Sequence, residues 1–317
     1  MATPWIKHTL CPLVTATALA AGILPAAAVE GAMSPYPKGF VGFMSGIVPP
    51  QPGLYVSNIY YFYTGTAGAS VRNGFLELGV DATLNADFLL GTYVTDWKIF
   101  GGQYAFGGAI GWAWLDLDAS IETQLGGLSA SLRNNGFGDS LITPVLLGWH
   151  DGNWHWNVGL NIYAPTGEYS TQRGSLNIGK NIWAFMPQFG VTYFDPKSGL
   201  DVSGTFVYVT QMNNSATDYQ SGDILHLDWA VGQHLGSQLE WEIGIAGNVM
   251  AQVTGDSGSG AKLGSFKAKS LGLGPAVNYS TKIGSNAFTL GAKWEHDFDT
   301  RNTFKGDVVT VSASLSL

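Results

Sequence analysis

Few side chains in this sequence could do chemistry, and the most suggestive pair is His226 and Asp228 in "ILHLDWAVG". Residues two apart on an extended strand point to the same face, so the imidazole and the carboxylate would lie side by side. Together with a serine they would make a nucleophilic triad. Spacing assigns no serine to them, and inward polar groups of this kind also line the interior of β-barrels. The sequence therefore favours a lining role and predicts no catalytic residue.

Motifs for metals and cofactors are absent from the sequence. No G-x-G-x-x-G opens a helix, and there is no phosphate-binding loop and no H-E-x-x-H. The six histidines are scattered without ligand spacing. The stretch "DSGSGA" (256–261) is rich in Asp and Gly but lacks the ligand spacing of an EF-hand. We therefore expect no metal site and no cofactor.

The elements that must position these side chains are long runs in which apolar and polar residues alternate. In "WHWNVGLNIYA" (154–164), Trp, Val, Leu and Ile alternate with His, Asn and Gly. The runs 239–253 and 287–295 and the C-terminal "VVTVSASLSL" repeat this pattern. A period of two predicts β-strands, and the helical period of 3.6 fits none of these runs. The apolar face carries Trp and Tyr near strand ends, which is typical of the lipid-facing wall of a membrane barrel.

The breaks between the runs alternate in length. Short breaks fall near residues 95–97, 151–153, 195–199, 235–237 and 284–286. Long polar breaks fall near residues 64–73, 122–138, 165–181, 212–222, 254–267 and 299–306. This layout predicts an all-β fold, a transmembrane antiparallel up-and-down β-barrel of about 12 strands, with short periplasmic turns and long external loops. The glycine-rich stretch 99–122 is either one strand that projects beyond the membrane or two strands, which would raise the count to about 14.

Composition agrees with a membrane location. Charged residues make up 12% and aromatic residues 13% of the 317 residues, whereas a soluble domain has about 25% charged residues. No interior segment offers the ~18 continuous apolar residues of a membrane helix, so a closed barrel is the remaining way to span a bilayer. The formal net charge is −8 and basic runs are absent, which argues against a nucleic-acid partner.

The N-terminus has the features of an export signal. An apolar stretch is followed by an A-x-A site at Ala26 and Ala28. This arrangement predicts a signal peptide over residues 1–28, Sec-type export and cleavage before Val29. Because the sole cysteine, Cys11, lies in this segment, the exported chain has no disulfide to form.

The rest of the chain divides into two parts. Residues 29–53 are proline-rich and cannot form a regular strand; they are either a periplasmic extension or a plug in the lumen. Residues 54–317 are predicted to form the barrel. A mainly acidic constriction that orients a solute and a salt-bridge network that fills a narrow barrel both fit its inward residues. The candidates for lining the lumen are His155, Asn157, Asn161, Asp201, His226, Asp228, Glu240, Glu242, Lys293 and Glu295.

Several phrases, taken together, resemble one known family. They are "PPQPGLYVSNIYYFY" (49–63), "NGFGDSLITPVLLGW" (135–149), "YAPTGEYS" (163–170), "NIGKNIWAFMPQFGVTYF" (177–194), "TDYQSGDILHLDW" (217–229), "QVTGDSGSGA" (252–261) and "LGLGPAVNY" (271–279). Their order and spacing are similar to those of the outer-membrane, transporter-like family of the meta-cleavage pathway of phenol degradation, also called the SphA-like family. The resemblance runs from about Glu30 to the C-terminus, and it supplies no catalytic residues.

The resemblance implies a barrel in the outer membrane of a Gram-negative bacterium that takes up hydrophobic or aromatic compounds. We therefore expect a non-enzymatic, porin-like channel for passive uptake, with small solutes and outer-membrane lipid as its partners. A barrel-embedded lipid hydrolase or deacylase and a closed structural barrel are the alternatives. The sequence leaves the oligomeric state open, because lipid-facing and subunit-facing apolar surfaces look alike.

Overall fold

The structure, a computed structural model, describes residues 33–71, 76–123, 126–173, 176–262 and 264–317. The predicted signal peptide and its cleavage site lie outside these residues. Thirteen antiparallel strands form one sheet. They are β1 (Gly53–Val71), β2 (Leu76–Ile99), β3 (Gly102–Thr123), β4 (Gly126–Phe137), β5 (Ser140–Asp151), β6 (Trp154–Ala164), β7 (Ala184–Asp195), β8 (Leu200–Gln211), β9 (Ile224–Leu235), β10 (Trp241–Gln252), β11 (Lys269–Ile283), β12 (Asn286–Arg301) and β13 (Lys305–Ser316). In the described part of the chain, no helix has the length and apolarity needed to cross a membrane.

The sheet closes into a barrel. β1 pairs with β13 from Tyr55↔Ser316 to Thr66↔Lys305, and β2 pairs with both β1 and β3. Of the thirteen strands, twelve complete the ring and β4 is additional. This confirms the predicted all-β, antiparallel, up-and-down barrel and its strand number. Closure removes the free edges from the ring, so the backbone N–H and C=O groups of the wall can pair within the sheet.

The strands are inverted relative to those of a soluble sandwich. Along β8, the outward side chains of Val202 and Phe206 are 43% and 49% exposed, whereas the inward Asp201 and Ser203 are 0% and 4% exposed. Apolar groups thus face outward and polar groups face the interior, as a bilayer requires. The alternation read from the sequence therefore becomes a lipid-facing surface and, on this side of the ring, a polar lumen wall.

The extra strand explains the long glycine-rich stretch. β3 is a single strand of 22 residues, so the interpretation as two strands is wrong. Its first half pairs with β5, from Gln103↔Gly148 to Ala109↔Leu141, and its second half pairs with β4. β4 and β5 therefore lie end to end beside β3, and β1 to β4 project together beyond the ring.

Three connections differ from the sequence prediction. The break expected at 64–73 falls largely within β1, which continues to Val71. The break expected at 122–138 contains β4, and the turn expected near 95–97 lies at Phe100 and Gly101, which have φ angles of 51° and 78°. β1 to β4 project beyond the ring, and a strand that projects beyond the membrane needs no lipid-facing apolar side. The connections otherwise separate a short-turn end from a long-loop end of the barrel.

The N-terminal segment, residues 33–52, precedes β1 and runs between opposite sides of the ring. The Tyr36 ring lies 4.9 Å from the His226 ring of β9, and the Phe40 ring lies 5.4 Å from the Phe88 ring of β2. In the strand order β2 and β9 are six positions apart in a ring of twelve. The segment therefore contacts inward-facing side chains on both sides of the barrel.

Candidate functional site

Most of the predicted lumen-lining residues do face inward. Seven of them are less than one-tenth exposed: Asn157, Asn161, Asp201, His226, Asp228, Glu242 and Glu295. The Lys293 side chain is 9% exposed and pairs with Glu295 at 3.2 Å. His155 lies on the same face of β6 as Asn157 and opposite the buried Thr192, so it also faces inward, at the short-turn end beside His150. Glu240 differs, because it sits in the turn between β9 and β10, where its carboxylate accepts a hydrogen bond from the Gln238 backbone N–H.

Asp228 is the main anchor of the N-terminal segment. Its Oδ2 accepts hydrogen bonds from the Tyr36 hydroxyl at 2.8 Å, the Phe40 N–H at 2.9 Å and the Val41 N–H at 3.1 Å, and its Oδ1 accepts from the Gly39 N–H at 3.1 Å. These four donors satisfy the hydrogen-bonding capacity of the buried carboxylate. Asp228 therefore holds backbone rather than a solute.

His226 meets a serine, but no triad forms. Its Nε2 lies 3.1 Å from the Ser34 hydroxyl, whereas its Nδ1 has no hydrogen-bond partner among the described residues. A triad needs a carboxylate at Nδ1 to orient the imidazole, and the nearby Asp228 is occupied by the N-terminal segment. The Ser34–His226 contact therefore lacks the group that would make the serine a nucleophile.

Two lysines complete the attachment. The Lys38 ammonium donates to Asp297 and to the Ser270 hydroxyl, and it lies 4.7 Å from the centre of the Tyr63 ring. Burial lowers the pKa of Lys38 from its ordinary value, although the Asp297 carboxylate opposes this shift. Lys293 donates to the Val41 carbonyl at 2.6 Å. Both cations join the segment to inward carboxylates of β12.

The segment is also held near the short-turn end. The Met44 N–H donates to Asp201 and the Gly46 N–H donates to the Thr192 hydroxyl, both at 2.9 Å. The Asn157 amide donates to the Ser45 carbonyl, also at 2.9 Å. β6, β7 and β8 thus hold the segment through polar contacts to its backbone.

The other side of the lumen is mainly apolar and contains a cavity of about 230 Å³. It lies between the N-terminal segment and the inner faces of β2, β3, β5, β6 and β7. Its apolar wall includes Phe40, Phe88, Leu90, Leu141, Tyr163 and Met186. A few polar groups break this wall, namely Asp139, Thr143, Asn161 and Gln188. A concave, largely apolar site with a few polar groups is typical of small-molecule pockets.

Sequence reasoning missed several residues of this arrangement. Asp297 continues the inward alternation of the run 287–295 by two positions, so a longer reading would have found it. Tyr36 and Lys38 lie in an irregular segment without periodicity, and no local signal indicates their partners. His234 was also missed. It lies close to Asp201 and Glu242: one ring nitrogen of His234 and one carboxylate oxygen of each acidic residue all lie within 4.8 Å of one another.

Comparisons with known proteins agree with the fold and with the family resemblance. A family model described as "Putative MetA-pathway of phenol degradation" matches residues 61–313. The COG4313 outer membrane channel from Pseudomonas putida F1 is similar in structure, with 14% identity, a TM-score of 0.59, and coverage of 86% of this chain and 98% of that chain. The transport unit of the autotransporter AIDA-I from Escherichia coli aligns with 10% identity and a TM-score of 0.42, over 86% of this chain and 93% of that chain. No curated protein sequence matches significantly.

Proposed function

We propose that this chain, which belongs to the MetA-pathway family of phenol degradation, passes small hydrophobic or aromatic compounds through the outer membrane by diffusion. The proposal includes export to the outer membrane through the signal peptide predicted at residues 1–28. The inverted strands support it, because their apolar outer faces need a lipid environment. The sequence has no phosphate-binding loop to couple transport to nucleotide hydrolysis, so the solute would move down its own gradient.

The single observation that carries the proposal is the apolar cavity beside the N-terminal segment. Its volume of about 230 Å³ is below the usual range of ligand sites, which begins at about 300 Å³, so it suits a compound no larger than one aromatic ring. Apolar side chains would hold the ring, and Thr143, Asn161 or Asp139 would hydrogen-bond a hydroxyl substituent. A hydrated sugar or ion would have to give up water without recovering equivalent hydrogen bonds.

We further propose that residues 33–52 act as a plug that narrows the lumen. The hydrogen bonds to Asp228, Asp201 and Thr192 support this role, because they fix the segment across the path of any solute. A narrowed lumen would exclude large hydrophilic molecules and leave the apolar side as the route. The periplasmic extension is the competing interpretation of this segment, and it would leave those carboxylates without their donors.

The proposal is tested by solute uptake in a strain that lacks the gene. Uptake of labelled phenol at low external concentration should fall severalfold in this strain, whereas uptake of glucose should not change. The wild-type chain should restore phenol uptake. Equal phenol uptake with and without the chain would overturn the proposal and favour a closed structural barrel.

Two adjacent leucines give a matched pair of variants. Leu90 faces the cavity, whereas Leu89 faces outward and is 49% exposed. Leu90→Trp should fill the cavity and restore little phenol uptake, and Leu89→Trp should restore it fully. Heat-modifiable migration on a detergent gel would verify that both variants fold. Equal uptake by the two folded variants would show that the cavity is not on the route.

A further inference from the structure

Three adjacent strands present potential metal ligands at one level of the lumen, near the short-turn end. Glu242 of β10 is directly opposite His234 of β9, and Asp201 of β8 is opposite Gly232, two residues away on the same face as His234. The ligand atoms of the three side chains all lie within 4.8 Å of one another. Rigid strand pairing, not a flexible loop, therefore sets the arrangement.

The histidine has the orientation of a metal ligand. Its Nδ1 lies 3.2 Å from the Leu239 carbonyl oxygen, which can only accept, so Nδ1 carries the proton. Its Nε2 faces the cluster, 3.2 Å from Oε1 of Glu242, where it forms an ion pair when protonated and offers a lone pair to a metal ion when neutral. A ring N–H held by a backbone carbonyl while the other nitrogen faces a cation is the usual arrangement at metal sites. The Phe194 ring, 4.9 Å away, supports the imidazole from the side.

The carboxylates have no lysine or arginine partner. Asp201 is 0% exposed and Glu242 is 3% exposed, and within the described ranges no Lys or Arg forms an ion pair with either. Oε1 of Glu242 and Nε2 of His234 face each other at 3.2 Å and have no further hydrogen-bond partner among the described residues. Buried charge without compensation is costly, and even a protonated His234 would balance only one of the two carboxylates.

Gly232 provides the space for this cluster. A Cβ atom at this position would lie 2.8 Å from Oε1 of Glu242 and 2.7 Å from the Phe43 ring. Any larger residue would therefore displace the Glu242 carboxylate or the Phe43 ring. The His234 side chain keeps 11% exposure beside the turn, which gives an ion access from the short-turn end.

We propose that Asp201, His234 and Glu242 bind a divalent transition-metal ion, with zinc as the preferred ion. One imidazole and two carboxylates are ligands that zinc accepts, at about 2.0–2.2 Å, with a fourth position open to water. The imidazole disfavours calcium and magnesium, which prefer oxygen ligands. The ion would cross-link β8, β9 and β10. It would also fix Asp201, whose Oδ2 accepts the Met44 N–H of the N-terminal segment.

The first test is metal binding by the folded, full-length chain in detergent after treatment with a chelator. Titration with zinc against a chromogenic competitor should give one equivalent bound per chain, and cobalt in place of zinc should produce visible absorption bands. Zinc should also raise the temperature at which the barrel unfolds on a heat-modifiability gel. Absence of both zinc binding and cobalt absorption in the wild-type chain would overturn the proposal outright.

Variants assign the site. Glu242→Gln and His234→Gln should each weaken zinc binding at least tenfold. Glu240→Gln is the matched control, because Glu240 lies in the adjacent turn, and it should bind zinc like the wild type. A second pair, His150 and His155, has its Nδ1 atoms 2.7 Å apart, so the double variant His150→Gln, His155→Gln should also retain binding. If the double variant lost zinc binding while Glu242→Gln kept it, the zinc site would lie at His150 and His155, and the proposal would be refuted.

Discussion

The two sides of the lumen hold the N-terminal segment in different ways. On the side of β8, β9 and β12, buried carboxylates and Lys293 bind its backbone and side chains, with Asp228 alone accepting four hydrogen bonds. On the side of β2, β3 and β5, apolar side chains face it across a cavity of about 230 Å³. One side fixes the segment, and the other leaves room beside it.

The difference follows from what each kind of contact requires. Directional hydrogen bonds to a buried carboxylate fix atoms within a few tenths of an ångström and exclude water. Apolar contacts such as that of Phe40 with Phe88 have no such directional requirement, so a small solute can lie beside them at low cost. The polar side therefore gives the lumen its shape, and the apolar side gives it a place for a guest.

The largest effect is expected from Asp228→Asn. The amide oxygen can replace one carboxylate oxygen, but the amide N–H₂ group replaces the other. The donors of the segment that bind this second oxygen therefore lose their acceptor. We expect a loss of about 4 kcal/mol in the free energy of unfolding and a severalfold rise in single-channel conductance in planar bilayers. Asp299→Asn is the control, because the Asp299 side chain is half-exposed and pairs with Lys269 instead of the N-terminal segment. Unchanged conductance in a folded Asp228→Asn variant would show that Asp228 does not anchor the segment.

Two lysine–aspartate pairs test how much burial matters. Lys38 and Asp297 have side chains 11% and 2% exposed, whereas Lys269 and Asp299 are both 51% exposed. Lys38→Met leaves a buried carboxylate unpaired and should cost about 3 kcal/mol, whereas Lys269→Met should cost less than about 1 kcal/mol. Urea unfolding in detergent micelles measures both variants. An equal loss of unfolding free energy in the two variants would mean that the buried Lys38–Asp297 pair stabilises the chain no more than the exposed Lys269–Asp299 pair.

Two glycines of the segment test its fit against the wall. A Cβ at Gly46 would lie 2.4 Å from the Thr192 backbone nitrogen of β7, whereas at Gly42 the nearest atom is Nζ of Lys293 at 3.9 Å. Gly46→Ala should therefore displace the segment from β7 and cost about 2 kcal/mol. Gly42→Ala should be close to neutral. Urea unfolding in detergent micelles measures both variants. An unchanged free energy of unfolding in Gly46→Ala would indicate that the segment is loosely held at this position.

The smallest effect is expected from Tyr36→Phe, which removes one of the Asp228 hydrogen bonds at a cost of about 1 kcal/mol near neutral pH. Burial, and then the neighbouring Asp228 carboxylate, raise the pKa of Tyr36 well above its ordinary value. Above about pH 10 the unfolded tyrosine loses its proton while the folded one keeps it. Stability should therefore fall as the pH rises through this range.

The check is the pH profile of the unfolding free energy from pH 8 to 11. The wild-type profile should fall more steeply above about pH 10 than that of Tyr36→Phe, so the two profiles should converge. Parallel profiles would indicate that the Tyr36 hydroxyl is open to water.

The strand pattern could be predicted wherever the membrane imposes it. The run 154–164 is found as β6, Trp154–Ala164, because alternation marks the bilayer crossing and Pro165 cannot donate to the ladder beyond it. Prediction failed for β4, whose "GGLSASLRNNGF" lacks a lipid-facing apolar side. Outside the bilayer both faces of a strand meet water, so that constraint on the sequence disappears.

Within a strand, the side chains that point into the barrel follow from the sequence alone, because they depend on a local period of two; Glu240, in a turn, has no such period. His226, Asp228 and Glu242 could thus be assigned to the lumen one strand at a time. Tertiary structure alone decided what they meet there. The partner of Asp228 depends on the path of a segment without periodicity, almost 190 residues away in the chain. The meeting of Asp201, His234 and Glu242 depends on the register of three strands, which hydrogen bonding across the sheet sets and no single strand contains.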